Sequence, residues 1–378
     1  MYYILYIIIL YSAIKEATTH KRNKTLFKVI YTCLFLMAIF RYGQGQDYFN
    51  YEGVYHEVSV YTRNSILGIF LIDDIGYAFL NYIAIYLNLP YEFFMAIFTA
   101  ITMSMFYHFL KKSCNYSMIS LLVFYSVIYM IYALSIVRQG FNIAFFLCFM
   151  FPLLEQRKYL KFTLLTLFIS TIHASALIFL FFPIVNNIKW SYKSLLFTFI
   201  VSLVILFFST NLMSYIPIPF IQDRMKTYLE DASGNLLLAK TVRLLLVFPL
   251  LLLPSRLISK TEVKDSRVFF FFGFFIYALI SFSELAASRI WGYFLGFECI
   301  ILANLSLSNI WSKTKVLIVL FYTLLSSVLW IKDINGAMQQ GKYRNCTIFT
   351  YPYVSIFEGD KTINYYRTEK GHAFVDTN

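Results

Sequence analysis

Charge is scarce in this chain. Asp, Glu, Lys and Arg supply 14% of its 378 residues, where soluble domains carry about 25%, and the shortfall excludes an ordinary soluble enzyme. Cysteine is scarce too. The five, Cys33, Cys114, Cys148, Cys299 and Cys346, show no CxxC or other paired spacing, and at least three lie in apolar runs, so neither a disulfide framework nor a metal site is expected. No Walker-type phosphate loop occurs. No segment repeats, and no Pro-rich or Gly/Ser-rich linker marks a domain boundary. The opening stretch, Met1 to Ile14, has neither a basic start nor a small-residue cleavage site, so it reads as an uncleaved span rather than a signal peptide.

Apolar residues are abundant: 59% of the chain, with a mean hydropathy of +0.65. A membrane span needs roughly 20 apolar residues. Runs that approach this length recur from Met1 to Ile331, at 2–14, 25–40, 93–110, 116–131, 134–154, 194–213, 236–254, 268–283, 290–308 and 316–331. The expected fold is therefore all-α: a single polytopic transmembrane bundle of about ten to twelve helices over 1–331, followed by a tail, 332–378. The net charge of +12 does not point to nucleic acid, because the basic residues are spread among short loops instead of clustered on one ordered surface.

Those basic residues orient the bundle. Short loops rich in Lys and Arg stay cytoplasmic, and six qualify: 15–28, 111–112, 155–161, 189–193, 255–267 and 313–315. Together they carry eighteen Lys/Arg against four acids, Glu16, Glu155, Glu262 and Asp265. All six share one side only if 75–89, a short mixed run, does not cross and 160–187, interrupted at Thr171-Ile172-His173, turns back on itself. The opposite, external face is then built from 41–91, 132–138, 212–235, 284–289 and the tail.

The less common polar residues fall on that face. Residues 41–51 read RYGQGQDYFNY. Gly43 lets backbone approach a ligand closely, Arg41 recognises phosphate through a planar fork, Tyr42 flanks them, and Asp47 is a carboxylate able to take a proton from a hydroxyl. The alternative is a juxtamembrane turn closed by an Arg41–Asp47 pair. Arg138 and Gln139 stand in SIVRQGFNIAFF, apolar on both sides; an ionisable group in such a place marks a functional site unless it snorkels from a helix end. His173, in STIHASALIF, is a histidine with apolar sequence close by on both sides. It suits proton transfer or phosphate binding, or packing alone. Glu284 and Arg289 bracket a short turn in SFSELAASRIWGY, as site residues or as a mutual pair. Arg224 lies in QDRMKTYLED, within a loop that reads as a solvated helix or a substrate lid. Arg243 and Glu298 are further charges in apolar surroundings, without an evident partner.

Taken together, RYGQGQDYFNY, SIVRQG, KYLKFTLLTLFISTIHASALIFL, AASRIWGYF and the late YPYVSIF resemble, in this order, the EpsG family, which includes Wzy-type O-antigen and exopolysaccharide polymerases. Gln44 and Gln46 depart from the smaller or aliphatic residues more usual in that loop. The resemblance implies a glycosyltransferase of the bacterial inner membrane with a periplasmic active face. It would join oligosaccharide repeat units carried on undecaprenyl pyrophosphate, without metal or cofactor. Arg41, Tyr42, Gly43, Arg138, Gln139, Arg224 and Arg289 would hold pyrophosphate and sugar. Asp47, His173 or Glu284 would activate the acceptor hydroxyl. Membrane lipid and a chain-length regulator protein are the implied partners, alongside the lipid-linked substrate. A lipid-linked oligosaccharide flippase or an O-antigen ligase would share much of this architecture.

Overall fold

A computed structural model of the chain describes residues 2–45, 47–212, 236–252, 261–305, 312–339 and 353–357. Among them the secondary structure is helical apart from one isolated bridge, so the all-α expectation holds. The helices are α1 (Tyr2–Thr19), α2 (Lys24–Ile39), α3 (Tyr48–Tyr61), a 3-10 turn (Ile66–Leu71), α4 (Ile75–Tyr86), α5 (Tyr91–Lys112), α6 (Met118–Ala133), α7 (Val137–Glu155), α8 (Tyr159–Ser170), α9 (Ala174–Asn187), α10 (Tyr192–Leu212), α11 (Leu236–Leu252), α12 (Thr261–Ile280), α13 (Glu284–Gly292), α14 (Leu295–Leu305) and α15 (Ser312–Gln339).

Several of these helices present apolar side chains outward. On α1, Ile4, Ile7, Ile8 and Tyr11 are exposed while Leu5, Ile9 and Ala13 are buried. The outward stripe has helical spacing, as does Phe197, Ile200, Val204 and Phe207 on α10 and Leu317, Leu320 and Leu324 on α15. A helix apolar all round buries one face in protein and gives the other to lipid. The structure is thus a membrane bundle, although uninterrupted spans are few among the described residues. By length and composition α5 and α7 qualify alone, and α13 with α14, bent by 48° at their junction, makes a third. Local features interrupt several of the other apolar stretches. The second part of α6 winds as a π-helix, Pro249 sits inside α11, and 159–187 is folded in two.

That folding bears directly on the layout. The Tyr159 hydroxyl donates to Asn187 Oδ1 at 2.8 Å and accepts from Asn186 Nδ2 at 3.2 Å. Residues 28 positions apart therefore meet, and α8 and the α9 stretch form a hairpin whose tip is Thr171–His173. Each arm is under 15 residues, or roughly 20 Å, short of a full crossing. The 75–89 run forms a twelve-residue helix, α4, which at about 1.5 Å per residue spans only about 18 Å. The last described helix, α15, runs beyond the expected end at Ile331, to Gln339.

The two ends of the bundle are stitched by different chemistry. At one end Glu16 accepts from Ser117 Oγ at 2.8 Å and from the Met118 N–H at 2.6 Å, and pairs with Arg22 Nε at 3.3 Å. Arg22 also donates to the carbonyls of Cys114, Asn115 and Ala303. At the other end residues 353–357 return to the RYG loop. Arg41 and Ser355 form an antiparallel bridge, with Tyr42 N–H donating to Val354 O at 2.8 Å and Ile356 N–H to Phe40 O at 2.9 Å. A cysteine in place of the exposed Asn50 is expected to react with an impermeant maleimide in intact cells; reaction only after lysis would overturn the membrane layout.

Candidate active site

Asp74 organises the site. Its backbone is left-handed (φ 58°, ψ 61°), a conformation Asp and Asn tolerate better than most residues. It stands at the N-cap of α4 without capping it. Its Oδ2 instead accepts from Arg138 Nη1 at 2.7 Å and lies 3.0 Å from His173 Nδ1, while Oδ1 accepts from the Ala174 N–H at 3.2 Å. Three distant segments, the start of α4, the first turn of α7 and the hairpin tip, thus converge on one carboxylate. All three side chains stay partly open, with relative exposures of 12% for Asp74, 22% for Arg138 and 21% for His173.

The surrounding groups fix this geometry. With Nδ1 directed to Asp74, Nε2 is the imidazole's other nitrogen, the arrangement by which a carboxylate orients a histidine base. Asn142, one turn after Arg138 on the same face of α7, donates to the His173 carbonyl at 3.1 Å. Gly76 N–H donates to Thr171 O at 2.8 Å. A Cβ on Gly76 would stand 2.2 Å from Thr171 Oγ1 and 2.9 Å from the Thr171 carbonyl carbon, so only glycine lets α4 press this closely on the tip. Gly76→Ala is expected to push Asp74 away from His173, leaving protein in the membrane but sharply reducing activity; unchanged activity would show that the contact does not set the geometry.

Tyrosines wall the cation. The Arg138 guanidinium lies 5.0 Å from the Tyr51 ring centroid and 5.4 Å from that of Tyr77, cation–π distances that strengthen where water is excluded. Burial pushes the Tyr51 hydroxyl up to about 12, with Asp47 adding to the rise and Arg138 opposing it. Tyr51 therefore stays protonated at neutral pH, a donor beside Arg138. On the other side of the tip, Ser175 Oγ and Tyr293 OH are 2.7 Å apart. Gln139 Nε2 donates to the Arg289 carbonyl, and Tyr132 OH to that of Ser288 at 3.1 Å, so α13 is bound to the same end. The guanidinium of Arg289 is half-buried, and its Nε has no hydrogen-bond partner among the described residues.

The other residues singled out in the sequence fall around this centre. Arg41 is 2% exposed. Its Nη1 donates to Ala38 O at 2.5 Å and Thr99 Oγ1 at 3.0 Å, and its Nε and Nη2 have no partner among the described residues. It forms no pair with Asp47, which accepts instead from Asn50 Nδ2 at 3.2 Å. Tyr42 packs against the rings of Tyr48 and Phe49, and Gly43 turns the loop with φ 60°. Glu284 is the first residue of α13; its side chain, and all of Arg224, lie outside the described residues. Arg138 and His173 are brought together, with Gln139 and the Arg289 backbone alongside, whereas Arg41 sits behind the tyrosine layer.

Sequence reasoning missed Asp74, Tyr51 and Tyr77. The available signal was the Asp73-Asp74 pair ahead of an apolar helix, but acids there ordinarily read as helix caps. Fold and site together define an all-α membrane protein with a charged cluster built between loops at one end of its bundle. The chain belongs to the EpsG family, whose family model matches residues 24–355. Membership makes it a polysaccharide-polymerase-like membrane protein of polysaccharide biosynthesis. Among curated proteins and among solved structures, nothing matches.

Proposed function

We propose that this protein is an O-antigen or exopolysaccharide polymerase, a glycosyltransferase of the bacterial inner membrane acting at the periplasmic face. Its substrate would be oligosaccharide repeat units on undecaprenyl pyrophosphate, with a separate chain-length regulator setting polymer size. The observation that carries the reading is the joining of Arg138 and His173 through Asp74, a base and a phosphate-binding cation held by one carboxylate. In the proposed step His173 Nε2 takes the proton of the acceptor hydroxyl. That oxygen forms a bond to the anomeric carbon of the growing chain, and the bond from this carbon to the carrier diphosphate breaks. Undecaprenyl pyrophosphate leaves with the electron pair, and Arg138, with Arg289 as a second cation, offsets its charge. A diphosphate is already a good leaving group, so one base and several cations suffice without a metal.

The test is a gel of surface lipopolysaccharide from cells lacking the gene and from cells carrying it back on a plasmid. Deletion is expected to collapse the ladder to core plus a single repeat unit, because flipping and ligation continue. Loss of the single-unit band as well would reject the polymerase in favour of a flippase or a ligase.

A further inference from the structure

The 3-10 turn Ile66–Leu71 displays its large apolar residues outward. Leu67, Phe70 and Leu71 are 66%, 68% and 72% exposed, and Ile66 is exposed beside them. The segment is not a loose loop that could fold these residues away. Ile69 is buried with Val58, Ile72 and Ala78, and Ser65 Oγ accepts from the Leu67 N–H at 3.2 Å. A Cβ on Gly68 would stand 2.0 Å from the Tyr61 carbonyl oxygen, so the turn is pressed onto the end of α3. Four large apolar side chains held outward on a packed element leave apolar area that burial elsewhere would take out of water.

The surroundings identify what covers it. Further large apolar residues are exposed on the next two helices, Ile75, Phe79, Ile83 and Tyr86 of α4 and Phe93, Ile97 and Ile101 of α5. The α5 helix is long and apolar enough to cross a membrane, so its outward apolar face meets lipid. Polar residues bracket the turn: Arg63 and Asn64 before it and Asp73 after it, all exposed. An apolar face flanked by charge, on an element too short to span, is the pattern of a segment lying in the bilayer interface.

We propose that residues 66–71 together with α4 form an interfacial foot whose occupant is bilayer lipid, with Leu67, Phe70 and Leu71 set among acyl chains and Arg63 at the level of the phosphates. Asp74 follows Leu71 by three residues, so the foot seats the Asp74–Arg138–His173 cluster at headgroup depth. The inference needs only that the chain is a membrane bundle and stands apart from the polymerase reading.

The experiment uses the full chain in nanodiscs of phosphatidylethanolamine and phosphatidylglycerol, with Phe70→Trp or Asn64→Trp compared with the unmodified protein by difference fluorescence. The added emission of Phe70→Trp is expected to be blue-shifted and strongly quenched by acyl-brominated lipid, whereas that of Asn64→Trp responds to aqueous iodide. Water-like emission at position 70, quenched by iodide and not by brominated lipid, would overturn the proposal. So would blue-shifted emission indifferent to brominated lipid, which would place a protein surface, a second copy or another chain, on the patch. Leu71→Trp repeats the measurement should Phe70→Trp fail to accumulate.

Discussion

Asp74→Asn is expected to reach the membrane at its normal level and to lose polymer formation by roughly 10²–10⁴-fold, the range that a positioned general base contributes. Asparagine is nearly isosteric and accepts the left-handed backbone of this position, so folding is spared. The hydrogen bonds are not. Asp74 is acceptor-only and receives three donors. An amide turned to give its oxygen to Arg138 and His173 sets its NH₂ against the Ala174 N–H, and the opposite rotamer sets it against Arg138. His173→Ala is expected to cost as much, and the double variant little more than either single one, because residues acting as a unit are non-additive. An intact ladder in Asp74→Asn, or a double variant whose loss is the product of the single losses, would remove the dyad from the mechanism.

The second large effect is on stability. Arg22→Ala is expected to destabilise the protein by roughly 3–5 kcal/mol, the cost of stripping one partner from a buried ion pair. The side chains of Arg22 and Glu16 are 8% and 1% exposed. Truncation would leave Glu16 without its cation and the carbonyls of Cys114, Asn115 and Ala303 without the donor that links them. The readouts are the level of a fluorescent fusion in membranes and the unfolding temperature of the solubilised protein. Arg22→Ala with Glu16→Ala should recover part of the loss, since no buried charge then stands alone. Wild-type stability in the single variant would mean that the knot contributes nothing net.

Arg22 also shows where sequence reading ended. Within 15–28 it counts as one of several charges that fix orientation, and its chain neighbours give no hint that it ties three segments together. The apolar helices, the break at 171–173 and the singularity of Arg138 and His173 were legible because each rests on local contrast, a polar group among apolar ones. Asp74 was not. It meets Arg138 across 64 residues and His173 across 99, and no local periodicity encodes such a pairing. Arg41 was legible as a phosphate-binding candidate but not as inward-facing, since an arginine answered by Thr99 and a backbone carbonyl looks, in sequence, like one awaiting a phosphate.

The return of residues 353–357 to the RYG loop sets an order of events in biogenesis. Every group of the charged cluster has left the ribosome long before Val354 and Ile356 can pair with Tyr42 and Phe40. A nascent chain therefore carries the complete chemistry while its 40–45 segment still lacks its only described strand partner. Pairing of this segment thereby waits on the synthesis of residues 353–357, so a ribosome that stalls after α15 leaves Phe40 and Tyr42 without these backbone partners.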